Sequence, residues 1–373
     1  MKVHFFNPGY EASVGLGSHH YTPTKSVQTF RHDLSTLPLY YKKVEDKVYV
    51  TNKTLDSSLD HPDILTSIAE EAELVPWGWA PELIGLFGKD KVPYSQDEMR
   101  HITSRRLSVD LWRLIKRESP ELFSSFVPPR LVTSFIESND IETLKENKWV
   151  LKDDFSSSGR GIHFIHSTEQ LQDFILKQKT NKKATLYIEP YYNKIEDRGY
   201  EFYRNANGTI SYLGPSSFVT AKGKYQGNVI QSRTKLEEQF SSVPTIPSHD
   251  QYINMLMAAL SQLPLGHYEG YLGIDTLVFM DNDGHLKIAP CLEINCRPTM
   301  GHLALSLGDH WLMEGFSGEY TILHLPSVGH MPPLASPHPL YTFSKRPTEP
   351  GNYTLTPIQE NTKFMALIKI FEK

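Results

Sequence analysis

The sequence predicts a small α/β domain at the N-terminus followed by an α+β body. Strand, turn and helix signals repeat in order over about the first hundred residues. Short strand-like segments then crowd residues 130 to 188 around one helix, and more follow from residue 201 to residue 295 around another. Val3 to Phe6 is an apolar, aromatic run stopped by Asn7-Pro8-Gly9, a buried first strand ending in a turn. Ala72 to Val75 runs into Pro76-Trp77-Gly78-Trp79-Ala80-Pro81 and then a helical stretch, Glu82 to Phe87, closed by Gly88. Ser95 with Glu98 forms a capping-box pattern, and Leu107, Leu111, Leu114 and Ile115 recur at helical spacing from a start near Arg105. After Val127-Pro128-Pro129, strands are expected at Arg130 to Thr133, Trp149 to Lys152, Ile162 to Ile165 and Leu186 to Ile188, with a helix from Thr168 to Gln178. Further strands are expected around Ile210 to Leu213, Val229 to Ser232, Gly273 to Met280 and Lys287 to Asn295, with a helix near Tyr252 to Leu263. Leu325 to Pro350, rich in Pro and His, reads as an extended covering segment before a last strand, Ala366 to Phe371.

Composition narrows the function. In 373 residues, 38 Lys+Arg against 43 Asp+Glu leave a net charge of −5, so no global basic field exists to hold nucleic acid or an anionic membrane. Two cysteines, Cys291 and Cys296, make neither a disulfide framework nor a CxxC pair. The start lacks the apolar region of a signal peptide, and no apolar run is long enough to span a bilayer. A cytoplasmic protein is expected.

Two segments and one neighbouring strand carry chemistry. In Trp149 to Ile165, Lys152 ends a strand and Ser156, Ser157, Ser158, Gly159 and Gly161 make a small loop whose backbone N–H groups can close on phosphate, with Lys152 as the opposing charge. Alone, the loop reads equally as a Ser/Gly hairpin turn, and it is not a Walker A sequence. In Leu292 to Pro298, strand alternation puts Glu293, Asn295 and Arg297 on one face, an acid, an amide and a guanidinium able to hold Mg²⁺ and phosphate. A half-exposed strand with a solvated charged face fits the same pattern. Asp275, inside the apolar strand Gly273 to Phe279, needs a cation, and the turn Asp281-Asn282-Asp283-Gly284 makes a hairpin that would bring it beside Glu293. Arg233 is a candidate for holding a carboxylate or an acyl phosphate, or else a solvated strand arginine. Asn7 to Glu11 and Trp77 to Trp79 lie beyond strand ends, where open α/β sheets bind ligands.

Taken in chain order, Lys152, the Ser/Gly loop, Glu189-Pro190, Asp275 and Glu293-Ile294-Asn295-Cys296-Arg297 resemble the ATP-grasp superfamily over about residues 104 to 315. The resemblance implies a pre-ATP-grasp-like domain at 1–103, small and large ATP-grasp subdomains at 104–190 and 191–325, and a covering segment at 326–373. It implies ATP as cofactor, with Lys152 on the α- and β-phosphates, the loop over the triphosphate, and Glu189 and the Tyr191 backbone reading the base. Mg²⁺, or Mn²⁺ in its place, would be held by Asp275, Glu293 and Asn295, and Arg297 would steady the transferring phosphoryl group. Where the family has an earlier nucleotide-binding lysine, this chain offers Arg105 and Arg106, of which Arg106 is the chosen candidate. The implied activity is an ADP-forming ligase that activates a small-molecule or peptide carboxylate as an acyl phosphate and joins it to an amine or a thiol. A small-molecule kinase and a non-catalytic ATP-binding protein are the alternatives.

Overall fold

The small α/β domain expected over the first hundred residues is built on a parallel sheet. In the computed structural model, which describes residues 1–51, 60–124, 126–132, 148–156, 159, 161–179, 185–221 and 223–372, β1 (Lys2–Phe5), β2 (Lys47–Tyr49), β3 (Ile64–Leu65) and β4 (Glu73–Pro76) run in the order β3-β2-β1-β4, every pair parallel. Helices α1 (Glu11–Leu16) and α2 (Lys25–Asp33) follow β1, and α3 (Glu82–Phe87) follows β4. Next come α4 (Gln96–Thr103), opened by the Ser95/Glu98 capping box, α5 (Arg106–Glu118) and the short α6 (Pro120–Phe123).

The second sheet is antiparallel, in the order β5-β8-β6-β7, from β5 (Arg130–Leu131), β6 (Trp149–Asp153), β7 (Ile162–Ile165) and β8 (Leu186–Pro190), with α7 (Thr168–Lys179) between β7 and β8. Thr133, the expected end of its first strand, lies outside the described residues.

The third sheet has nine strands: β9 (Lys194–Arg204), β10 (Ile210–Ala221), β11 (Lys224–Ile230), β12 (Gly270–Met280), β13 (Leu286–Ile288), β14 (Glu293–Asn295), β15 (Phe316–His324), β16 (Gly351–Thr354) and β17 (Phe364–Glu372). The strand expected over 287–295 is two strands, β13 and β14, both on β12. Pro290, which has no N–H to donate, lies in the break. The end of the chain does more than cover: β17 pairs with β15 along its whole length and with β16. No helix among the described residues is long and apolar enough to cross a membrane.

One face of the large sheet is the main core. Tyr200, Phe202, Leu272 and Ile274 pack there with α5, α8 (Arg233–Ser242) and α9 (His249–Gln262). The apolar stripe of α5, Leu107, Leu111, Trp112 and Ile115, is at most 2% exposed, as its spacing demands. The capping box Ser248/Gln251 starts α9 three residues before the start expected from its apolar pattern. The opposite face carries α10 (Met300–His310) at one end and the functional groups at the other.

This packing sets two unequal costs. Leu111→Ala, on the fully buried stripe, is expected to destabilise the protein by about 2–5 kcal/mol, and Ser248→Ala, which removes only the cap, by about 1 kcal/mol. Urea unfolding of both variants checks the ratio, and a cap variant as damaging as the core variant would contradict this account.

Candidate active site

The site is built on two adjacent cross-strand rows of the large sheet. Antiparallel register sets Glu293, Asp275, Gly199 and Ser216 side by side in one row. Asn295, Gly273 and Glu201 make the next. Residues directly opposite on neighbouring strands share a face, so the two carboxylates expected to meet do meet. Asn295 donates its Nδ2 to Asp275 Oδ2 at 3.2 Å, which leaves its own Oδ1 for another partner. Loss of hydration and the facing Glu293 carboxylate push the Asp275 pKa up to about 7.

Lys152 approaches these acids from the second sheet. Its Nζ lies 2.6 Å from Glu189 Oε1 and donates to the Leu292 carbonyl at 3.1 Å, one residue before Glu293. Both charged side chains are 9% exposed, so each depends on the other. Tyr191, just after Glu189, donates its backbone N–H to the Lys148 carbonyl at 2.9 Å. That N–H is thus engaged by the strand that leads into Lys152.

The two arginines at the start of α5 separate. Arg106, chosen from the sequence, points outward, 74% exposed, and pairs with Asp110 one turn on. Arg105 turns inward. Its backbone N–H bonds Asp154 Oδ1, its Nε bonds the Asp153 carbonyl at 2.7 Å, its Nη2 reaches Ser156, and its Nη1 stands 3.3 Å from Glu293 Oε2. Adjacent helical residues point about 100° apart, so only one of the pair can face the site.

The loop after β6 is tightly folded. Ser156 Oγ donates to the Asp153 carbonyl at 3.0 Å, and a Cβ at Gly161 would collide with Ser156. Gly159 has φ +74° and passes so close to the Gly223 carbonyl that no larger residue fits. Ser157 and Ser158 lie outside the described residues.

Arg233 does not join this group. Ser232 ends the expected strand as the N-cap of α8, and Arg233 is the first residue of that helix. It packs over the Tyr212 ring and pairs with Glu237, on the face opposite Glu201 and Asp275.

Arg297 faces two ways. The carboxylates of Glu293 and Asp275 on one side, and Tyr10 and Glu11 of the N-terminal domain on the other, raise its pKa against the cost of burial. Its guanidinium lies 5.6 Å from the Trp77 ring centre. The loops after β1 and β4 thus close the site from the N-terminal side. Within them Asn7 is a strut: it exchanges two hydrogen bonds with the Gly78 backbone, at 2.9 and 3.0 Å.

Sequence reading left Glu201 without a role. It is 3% exposed, accepts hydrogen bonds from Ser216 Oγ at 3.0 Å and Thr299 Oγ1 at 2.8 Å, and has its pKa pushed up to about 8, chiefly by burial. Its signal, an acid inside the apolar run Tyr200-Glu201-Phe202-Tyr203, is the one that marks Asp275.

No protein-family model and no curated protein matches this chain. Solved structures do. N5-carboxyaminoimidazole synthetase from Staphylococcus aureus, complexed with ADP, is 12% identical with a TM-score of 0.53, over 100% of this chain and 93% of that one. Biotin carboxylase from Campylobacter jejuni, as a β,γ-ATP complex, is 12% identical with a TM-score of 0.54, over 100% of this chain and 87% of that one. N5-carboxyaminoimidazole ribonucleotide synthetase from Thermus thermophilus is 9% identical with a TM-score of 0.50, over 100% of this chain and 93% of that one. The fold is therefore that of these enzymes, the ATP-grasp fold that the sequence resemblance implies over about residues 104 to 315.

The carboxyl of Glu201 makes a pH prediction. It keeps its proton to about pH 8 when folded but has an ordinary value of 4.5. Between those values the folded chain binds more protons than the unfolded one, so stability falls as pH rises. Glu201→Gln removes this contribution, and its melting temperature should vary less than that of the wild type from about pH 5 to pH 8. Identical pH profiles would refute it.

Proposed function

We propose that this protein is an ATP-dependent, ADP-forming ligase that activates a carboxylate as its acyl phosphate and joins it to an amine or, in second place, a thiol. The observation that carries the reading is the bond from Lys152 to the Leu292 carbonyl, which sets a phosphate-binding charge from one sheet directly against the acids of another. The oxygen set fits magnesium: Asp275 and Glu293 face each other across strands, and Asn295, which donates its Nδ2 to Asp275, adds an amide oxygen beside them. Bound there, Mg²⁺ or Mn²⁺ would neutralise phosphate charge.

The chain's own groups supply the rest. Lys152 leaves Glu189 to meet phosphate oxygens, which frees Glu189 and the Tyr191 carbonyl for the base. The loop from Ser156 to Gly161 covers the phosphates. Arg105, tied to that loop and beside Glu293, takes the place of Arg106 as the second nucleotide-side cation. Arg297, between the acids and the Tyr10-Glu11 and Trp77 loops, holds the transferring phosphoryl group and the carboxylate that attacks it, the task first given to Arg233. Phosphoryl transfer needs positioning and charge more than a covalent protein group. The amine enters from the side of the N-terminal loops. The domain division at 103, 190 and 325 is part of this proposal, with residues 351–372 assigned to the large sheet. Cys291 and Cys296 are free and buried, which suits the reducing cytoplasm.

Saturating Mg·ATP should raise the melting temperature by mass action. Lys152→Ala should weaken nucleotide binding about tenfold or more, since a charge-assisted contact is worth roughly 1.5–3 kcal/mol. Unchanged melting with Mg·ATP would sink the reading. Glu293→Gln should abolish ADP release while leaving the far-UV circular dichroism intact, because charge changes and shape does not. With ATP, Mg²⁺ and a carboxylate found by screening for ADP release, hydroxylamine should trap a hydroxamate. A stable phosphate ester instead would identify a kinase.

A further inference from the structure

Three glycines on three elements vacate one small volume, and the carboxyl of Glu201 fills it. A Cβ at Gly301, in the first turn of α10, would collide with Glu201 Oε1 and Ser216 Oγ. A Cβ at Gly273 on β12 would lie 3.0 Å from Glu201 Oε2 and would strike the Thr299 methyl. A Cβ at Gly199 on β9 would lie 3.2 Å from Oε1 and would strike Ser216 Oγ. Glycine in a helix or strand interior is destabilising, so three at one point require a reason. The carboxyl is that reason. One oxygen accepts from Ser216 on β10, the other from Thr299, and Thr299 Oγ1 in turn accepts the His302 N–H that opens α10.

Thr299 stands two residues after Arg297, in the turn from β14 to α10. We infer that Glu201 is a positioning residue for Arg297: by fastening Thr299 to the middle of the sheet, it fixes the turn that carries the guanidinium into the site. The strand end at Asn295 is already held by its pairing with Gly273, and the helix by its packing. Between them only the turn could move, and the Glu201 bond spans it. This role uses shape and hydrogen bonding rather than charge. Glutamine has the same shape, can accept from Thr299 through its carbonyl and can donate to Ser216 through its amide, so it should serve almost as well. Alanine leaves the O–H of each of two buried hydroxyls without its acceptor.

Amide hydrogen exchange between Arg297 and His302 tests the fastening without any ligand. Glu201→Gln should stay within about threefold of wild type there, Glu201→Ala should exchange about tenfold faster or more, and the amides of β17 should be unchanged in both. Gly301→Ala approaches the same contact from the other side and decides the matter if Glu201→Ala fails to fold. Helix propensity alone favours that change, yet it should speed exchange in the turn, because the new methyl displaces α10 from the carboxyl. Wild-type exchange in the turn of Glu201→Ala, or in that of Gly301→Ala, would overturn the inference. So would Glu201→Gln as damaging as Glu201→Ala. The consequence for turnover rests on the ligase reading: Glu201→Ala should lower ADP release about tenfold or more with Mg·ATP affinity within about threefold, and Glu201→Gln should restore it. A wild-type protein that does not bind Mg·ATP would defeat the ligase reading, while the exchange rates would still decide the role of Glu201.

Discussion

Asp275 and Glu293, both half-buried, face each other across antiparallel strands, and two like charges so placed repel unless something positive comes between. Much of the molecule answers this constraint. Arg105 approaches Glu293 from the start of α5, Arg297 returns toward both acids from the end of β14, and Asn295 gives one amide hydrogen to Asp275. Lys152 stands at the edge of this group, but its ammonium is engaged by Glu189 and by the Leu292 carbonyl. Loss of hydration, with the facing Glu293 carboxylate second, leaves Asp275 with a raised pKa.

The large sheet separates stability from chemistry by its pleat. On β9, Arg198, Tyr200 and Phe202 point to the helices of the core, and Gly199 and Glu201 point to the site. Residues one position apart therefore answer to different demands. The glycines on the site face contribute nothing to burial. They let α10 and the carboxyl of Glu201 come close to the backbone, and the loss of propensity is offset by hydrogen bonds on both oxygens. On the opposite face the same strands bury tyrosines and phenylalanines against α8 and α9.

The N-terminal domain contributes a wall rather than a charge cluster. Asn7 holds the loops after β1 and β4 together through the Gly78 backbone, and Arg31 pairs with the nearly buried Glu82 beneath them. Those loops then present Tyr10, Glu11 and Trp77 to Arg297. A parallel sheet suits the task, since its strand ends gather on one edge.

Local signals in the sequence determined the elements whose partners lie nearby. The apolar spacing of α5, the capping box of α4 and the alternating faces of β14 are written in consecutive residues, and the short turn at Asp281 to Gly284 folds β13 back on β12, although the register then shifts so that Glu293 rather than Cys291 comes opposite Asp275. Lys152 and its loop, with Glu189 after the next helix, are legible for the same reason. Four matters were left to the tertiary structure. The choice between Arg105 and Arg106 depends on the rotation of one helix against two sheets, which no pattern of adjacent arginines encodes. Arg233 reads as a strand residue until the end of β11 is seen to give way to Ser232 and α8, and the sheet then puts it on the wrong face. The strand order of the large sheet, with β15 between β11 and β17, joins segments far apart in sequence, where no turn sets the register. Glu201 shares its sequence signature with Asp275, but its partners Ser216 and Thr299 and its glycine neighbours come from four elements. Burial of a charged group can be suspected from one strand, whereas its compensation is a property of everything packed around it.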